Sequence, residues 1–439
     1  MRHETMLAIF GFAMILSFML LIMTKKMSAI SALLLVPILF GVLAGFTPRL
    51  GPMIAEGMLQ VAPIGFTLMF AVLFFSLMLN VGLFDPLVGA IVRRVHSDPL
   101  RIALGTALLS MVVGFDGDGT STALIVIGAF LPIYKRVGMN QSVLLTLLAL
   151  CVSVMNLTPW GGPLARAASA LKLDPGEVFL PLVPVMLIAC AGILALAWLF
   201  GMRERRRLGF TPAQLHAVVP PGAPAGAAKT QPERWRRVAN TVLTLVVLAF
   251  VLSRAAPLPV TFMVGSVLTL LINYRGLDEQ HKHLSEQAGN AFFTLFLIMS
   301  AGAFTGILNG TGMVDAMGNA LVHVVPPALG PHMAWVTVLI AMPLTFFMSN
   351  DAFYFGVLPV IASAATLHGV PAVDIARASL LALPVHALSP LMASFYLVIS
   401  LLKLEIAPVL RFALPWAVLC VALLAGAALV TGAVGVHLA

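Results

Sequence analysis

Apolar runs long enough to cross a bilayer recur from one end of this chain to the other, beginning with Leu7–Met23. Crossing hydrocarbon about 30 Å thick takes roughly twenty residues of helix. Inside lipid no water satisfies backbone N–H and C=O groups, so each run must close its hydrogen bonds within itself as a helix. With 60% hydrophobic and only 10% charged residues among 439, the chain lies outside the range of soluble globular domains. It reads as an all-α polytopic membrane protein. The first run leads through Lys25 and Lys26 straight into another apolar run, as a retained helix does and a cleaved signal does not. The net charge of +8 does not imply nucleic acid, because cytoplasmic loops of membrane proteins collect Lys and Arg. Cys151, Cys190 and Cys420 are scattered through apolar segments and read as small packing residues, with no CxxC or Cys/His spacing for a metal or redox pair.

Spans are expected at 6–24, 28–46 and 58–80, followed by a short amphipathic helix at Pro86–Val95. The segment 98–135 runs apolar, breaks at GFDGDGTS and runs apolar again, with arms short for two crossings, which suggests a re-entrant hairpin. Residues 141–171 contain NLTPWGGP, where proline and paired glycines predict a helix unwound in mid-membrane. A further span covers 178–200. Residues 202–236 then change to a Pro/Gly/Ala linker with basic ends, expected to be cytoplasmic. The same grammar restarts: spans at 238–254, 258–273 and 288–308, a short helix at 313–324, an interrupted segment 333–367 containing MSNDAFYFG, a broken helix 374–401 containing HALSPLMASFY, and a last span at 409–433.

Asp85 pairs with Asp315, Asp118 with Asp351 and Pro159 with Pro390 at a nearly constant offset, the mark of an internal duplication. The expected units are therefore an N-terminal repeat, 1–201, and a C-terminal repeat, 237–439. Each has about five crossings plus a hairpin and a broken helix; an odd crossing number inverts the second copy, as in secondary transporters. With both termini outside, Lys25, Lys26, Arg93, Arg94, Lys135, Arg136, the cluster Arg203 to Arg207 and Lys403 all fall on the cytoplasmic side of an inner membrane, while Asn309 to Ala334 carries no Lys or Arg.

Charge at bilayer depth is costly and is usually turned toward a water-filled cavity. Hairpin one offers Asp116, Asp118, Thr120, Ser121 and Thr122; hairpin two offers Ser349, Asn350 and Asp351. The broken helices offer Asn156, Thr158 and Pro159 in one half, and His386, Ser389 and Pro390 in the other. Hydroxyl, amide and free N–H donors at the tips of half-helices suit a carboxylate ligand, which makes Thr120, Ser121, Asn156, Thr158, Pro159, Ser349, Asn350, Ser389 and Pro390 the expected substrate site. Asp116, Asp118 and Asp351 are acceptors when ionised. They suit a hard divalent cation or carry protons, and both roles can coexist. His386 is either a proton relay or a hydrogen-bonded packing residue. Arg166, about one turn beyond Pro163, is either an anion attractor or a snorkelling interfacial arginine. Asp85 and Asp315 read as helix caps. Trp160 either stacks or packs.

The stretches GFDGDGTSTALI at 114–125, NLTPWGGPLARAA at 156–168, SNDAFYFGVLP at 349–359 and LSPLMASFYL at 388–397 together resemble the citrate/divalent-metal:proton symporters, the CitMHS family of the ion-transporter superfamily. The resemblance implies import of citrate complexed with Mg²⁺ or Ca²⁺ in symport with protons, through an elevator-like movement of a domain holding both hairpins. It implies a co-transported cation with no permanently bound cofactor, and a homodimer. A competing expectation is a sodium-coupled di- or tricarboxylate carrier. A more distant one is an intramembrane aspartyl protease, since GFDGDG contains a GxGD-like string, with Asp118 facing Asp351.

Overall fold

The computed structural model describes residues 2–95, 97–210, 234–322 and 326–435, so most of the linker expected at 202–236 lies outside the described residues. The first half comprises α1 (Arg2–Met23), α2 (Ala29–Leu43), α3 (Leu50–Asn80), α4 (Asp85–Val95), α5 (Pro99–Val113), α6 (Gly119–Val137), α7 (Gln141–Met155), α8 (Gly162–Leu171), α9 (Pro175–Phe179) and α10 (Leu182–Arg207). The second half comprises α11 (Arg234–Ser253), α12 (Leu258–Asn273), α13 (Leu277–Gly310), α14 (Met313–Val322), α15 (Met333–Phe347), a π-helical turn at Ala352–Val357 leading into α16 (Leu358–Leu367), α17 (Ala372–Leu380), α18 (Leu383–His386), α19 (Ala393–Leu402) and α20 (Ile406–Thr431). Among the described residues nine helices are long and apolar enough to cross a membrane, and none of the secondary structure is strand.

Several lengths differ from expectation; α3, for one, starts at Leu50 and not 58 and reaches 31 residues. Helix α13 starts at Leu277 and reaches 34 residues, because LDEQHKHLSEQ contains no Gly or Pro and continues the helix beyond its apolar part. Helix α6 has 19 residues, since Lys135 and Arg136 extend it to a left-handed Gly138 cap, and Pro99–Asp116 has 18; contrary to expectation, both arms of the hairpin are long and apolar enough to cross a membrane.

Caps set the other boundaries. Asp98 accepts from the Leu100 N–H at 3.0 Å, with Pro99 at the first helical position of α5, and Asn140 accepts from Ser142 N–H at 2.9 Å to open α7. Asp98 also receives two hydrogen bonds from the Arg205 guanidinium, one of them 2.7 Å from Nε to Oδ1, and Glu204 receives the Asn140 N–H at 3.0 Å. The end of α10 is thereby clamped to the starts of α5 and α7.

The apolar core divides in a way that cuts across the sequence halves. One cluster gathers α1 to α3 with α11 to α14 and takes in Ala165, Ala168 and Ala170 of α8, Phe355 of the π-helical turn and Val360 of α16; the other gathers α5 to α10 with α15 to α20. In the first, α3 and α13 approach backbone to backbone: a methyl group on Gly57 would collide with the Gly302 carbonyl, and one on Gly306 with the Met53 carbonyl. Where the two clusters meet, Trp160 stacks within 5.1 Å of Phe75, 5.2 Å of Phe115 and 5.5 Å of Phe262. The second body, which carries all four interrupted segments, rests here on the first.

Candidate substrate cavity

Each interruption is built by its own local hydrogen bonds. In hairpin one, α5 ends in a 3₁₀ turn at Gly114–Asp116, and Gly117 turns the chain at φ 84°, a conformation that favours glycine. Asp118 then caps α6, accepting from Thr120 N–H at 2.9 Å, Ser121 N–H at 3.3 Å and the Ser121 hydroxyl. In the first broken helix, Trp160 Nε1 donates to the Phe115 carbonyl at 2.8 Å, which ties the break to hairpin one. In hairpin two, Met348 is extended and Ser349 Oγ accepts the Ala352 N–H at 3.2 Å at the entrance to the π-helical turn. In the second broken helix, Ser389 Oγ donates to the Phe346 carbonyl at 2.6 Å and accepts the Leu391 N–H at 3.2 Å.

All four breaks open into one cavity of about 410 Å³. Hairpin one contributes Gly117 to Thr120 and hairpin two Ser349 to Asp351; the first broken helix supplies Ser153, Asn156, Gly162 and Arg166, and the second His386 and Ser394. The first turns of α6, α8 and α19 therefore border the same space, and helix N-termini favour anions through their unpaired N–H groups and dipole. Arg166 is the one Lys or Arg in the lining, and its Nε lies 2.6 Å from Asp351 Oδ1, joining the first half to the second. His386 is buried, with Nδ1 2.6 Å from the Thr345 carbonyl oxygen. In the neutral ring Nδ1 then carries the proton and donates to that carbonyl, which leaves Nε2 as an acceptor; it has no hydrogen-bond partner among the described residues.

Of the expected site residues, Asp118, Thr120, Asn156, Ser349, Asn350, Asp351 and His386 border the cavity, whereas Asp116, Ser121, Thr158, Pro159, Ser389 and Pro390 do not. Asp116 is buried and turned back, its Oδ1 accepting the Asp118 N–H at 2.9 Å. Thr158 and Ser389 give their hydroxyls to backbone carbonyls, and Ser121 gives its hydroxyl to Asp118. A joint ligand set of Asp116, Asp118 and Asp351 does not form. Among the described residues no group of three His, Cys, Asp or Glu side chains is placed to hold a metal ion. Each aspartate instead has its own partner: Asp116 a backbone amide, Asp118 a helix N-terminus and Asp351 the distant Arg166. Ser153 and Ser394 were missed by sequence reasoning. For Ser394 the available signal was a hydroxyl in the first turn after the Ser-Pro break.

A membrane-spanning helical body with four interruptions converging on one cavity, apolar-walled and set with a few polar and charged groups, is the architecture of a transporter. Similarity to known proteins narrows the class. The model of the CitMHS family, described as "Citrate transporter", matches residues 18–382, and the chain belongs to that family. It is 46% identical to the "Citrate transporter" of Bacillus subtilis (strain 168) over 97% of this chain and 99% of that protein. It is 40% identical to the same organism's "Mg(2+)/citrate complex secondary transporter" over 98% of this chain and 100% of that one. Two solved structures share the fold at 14% identity: Alcanivorax borkumensis YdaH, with a TM-score of 0.58 over 89% of this chain and 88% of that one, and Neisseria gonorrhoeae MtrF, with 0.59 over 88% and 84%. With relatives that are transporters over its full length, the chain is a transporter and not a peptidase.

Proposed function

We propose that this protein is a secondary active transporter that imports citrate already chelated to a divalent cation, Mg²⁺ or Ca²⁺, in symport with protons. The observation that carries the reading is the charge of the cavity. Its lining holds one positive side chain, Arg166, and two negative ones, Asp118 and Asp351, a formal net of −1 with His386 neutral. Such a space is hostile to a free tricarboxylate, and a divalent cation cancels two of the three negative charges before the substrate enters. The relative named as a Mg(2+)/citrate complex transporter points the same way. A metal that arrives inside its chelate needs no cage of protein ligands, since Mg²⁺ keeps several waters and takes one or two carboxylates at most. In this reading Arg166, Thr120, Asn156, Ser349 and the helix N-termini receive the citrate carboxylates. Asp118 or Asp351 meets the metal side, and protons load among Asp118, Asp351, His386 and, behind them, Asp116.

Movement in this proposal is of the elevator type. The body formed by α5 to α10 and α15 to α20 carries the cavity along the scaffold of α1 to α3 and α11 to α14, between two inverted repeats in an inner membrane, with termini outside and subunits paired as a homodimer. Entry of two or more protons with a complex of charge −1 makes import inward-driven by a membrane potential worth about 2.3 kcal/mol per charge per 100 mV. The test is uptake of labelled citrate into proteoliposomes, with Mg²⁺, Ca²⁺ or no metal and with proton and sodium gradients imposed separately. Uptake should require the metal and follow the proton gradient. Sodium-driven uptake that ignores both metal and pH would replace this reading with the sodium-coupled carboxylate carrier.

A further inference from the structure

We propose that Arg166 and Asp351 form an exchangeable ion pair: a substrate carboxylate displaces Asp351 from Arg166, and the released Asp351 takes the cation that enters with that carboxylate. The idea rests on the reading of the cavity as a metal-carboxylate site and says how that site enforces joint binding.

Four features of the pair fit an exchange better than a fixed strut. It is accessible, with the side chains of Arg166 and Asp351 21% and 18% exposed and both bordering the cavity. It is held through one contact: among the described residues Arg166 uses only Nε on Asp351, so four of the five guanidinium donors are unspent and a second carboxylate can engage before the first departs. Room is kept for the head group, because a methyl group on Gly162 would lie 2.8 Å from Arg166 Nη1. Two residues of the lining also carry an acceptor with no donor among the described residues, Asn350 Oδ1 and His386 Nε2, each buried just behind the cavity surface. Acceptors without donors beside a carboxylate suit a cation or its bound waters.

The coupling follows from charge. In the empty cavity Arg166 and Asp351 neutralise each other. A carboxylate that takes Arg166 without a cation strands Asp351 near Asp118 in a partly desolvated space, and leaving one member of such a pair uncompensated is the costly step. A cation that takes Asp351 without a carboxylate strands Arg166. Only the two together restore neutrality at both ends, so the pair rejects free citrate and free metal alike. Because Arg166 sits on α8 and Asp351 at hairpin two, the exchange also changes what holds these elements together.

The experiment is titration calorimetry on the purified full-length protein in detergent, with citrate and with succinate, each with and without Mg²⁺, and with Mg²⁺ alone. In Asp351→Asn, Arg166 has no competing anion, so metal-free citrate should bind about tenfold or more tighter than in the parent, the scale of one charge-assisted hydrogen bond, and the gain from Mg²⁺ should shrink by a similar factor. In Arg166→Gln, Mg²⁺-citrate should weaken about tenfold or more while Mg²⁺ alone binds tighter than to the parent. If Arg166→Gln does not fold, Arg166→Lys, which keeps charge without the fork, should show the same loss in smaller measure. An unchanged Mg²⁺ gain in Asp351→Asn overturns the exchange, as does a parent that binds neither citrate nor succinate under any condition. A parent that binds citrate equally well without metal sinks the metal-citrate reading alone. The exchange then survives only if Asp351→Asn still tightens citrate or succinate.

Discussion

Thr158 and Ser389 occupy matching places in the two broken helices, and both are fully buried with their hydroxyls spent on backbone carbonyls, Met155 at 3.0 Å and Phe346 at 2.6 Å. They hold the breaks open and leave recognition to neighbours that border the cavity. Replacing Thr158 by an apolar isostere removes one buried hydrogen bond, about 1 kcal/mol, and replacing Ser389 by alanine removes two, about 2 kcal/mol, in neither case touching the substrate. Thr158→Val and Ser389→Ala should therefore lower the melting temperature measurably and leave the citrate KM within about twofold, the latitude expected for sites outside direct contact. A large KM rise at unchanged melting temperature would place these hydroxyls in the cavity after all. Trp160 makes the complementary case. Trp160→Phe keeps a ring among Phe75, Phe115 and Phe262 but loses the Nε1 bond to the Phe115 carbonyl, the residue just before the Asp116–Gly117 turn. It should slow uptake through a loosened hairpin tip, while binding of Mg²⁺-citrate in calorimetry changes less than the transport rate.

At the scale of elements, the strongest clamp lies away from the cavity. Asp98 is 1% exposed and takes both hydrogen bonds from Arg205 while capping α5, so Arg205→Ala removes those two bonds and leaves the buried carboxylate only the half-exposed Arg101, 3.6 Å away, as counter-charge. With Arg101 retained and Arg205 itself part-exposed, the expected loss is about 2 kcal/mol, the scale of charged hydrogen bonds, seen as a lower melting temperature; Asp98→Asn with Arg205→Ala together should recover part of it. The interruptions are legible in the sequence, because proline and glycine inside apolar runs break helices. Of the caps, Asp85 and Asp315 are expected and fall in the first turns of α4 and α14, whereas Asp98, Asn140 and Asp174 cap helices without being singled out by the sequence. The orientation of side chains within the breaks is not legible. Asp116 folds onto the Asp118 amide and Thr158 onto the Met155 carbonyl through local hydrogen-bond choices that spacing does not encode. The Arg166–Asp351 pair is less legible still, since it joins positions 185 residues apart and neither partner announces the other.

The whole molecule is organised by packing that crosses the sequence halves, with each apolar core drawing helices from both. The two cores share α8 and α16, whose Ala165, Ala168, Ala170 and Val360 pack into the first core, and they meet at the aromatic patch and the α14–α16 contact; the proposed elevator movement would have to slide along this seam. The Ser363 hydroxyl on α16 reaches the Val314 carbonyl on α14 at 3.4 Å, so these positions mark the seam. In a variant with Cys151, Cys190 and Cys420 removed, Val314→Cys and Ser363→Cys joined by a short, reductively cleavable thiol cross-linker should bring metal-citrate uptake to background and leave Mg²⁺-citrate binding intact. Cleavage of the linker should then restore uptake. Each single cysteine treated alike should transport as the uncoupled parent does, which separates tethering from simple modification. If the cross-linked protein transports at the uncross-linked rate, the cavity is carried past no scaffold, and alternating access must come from local opening of the hairpins within a fixed body.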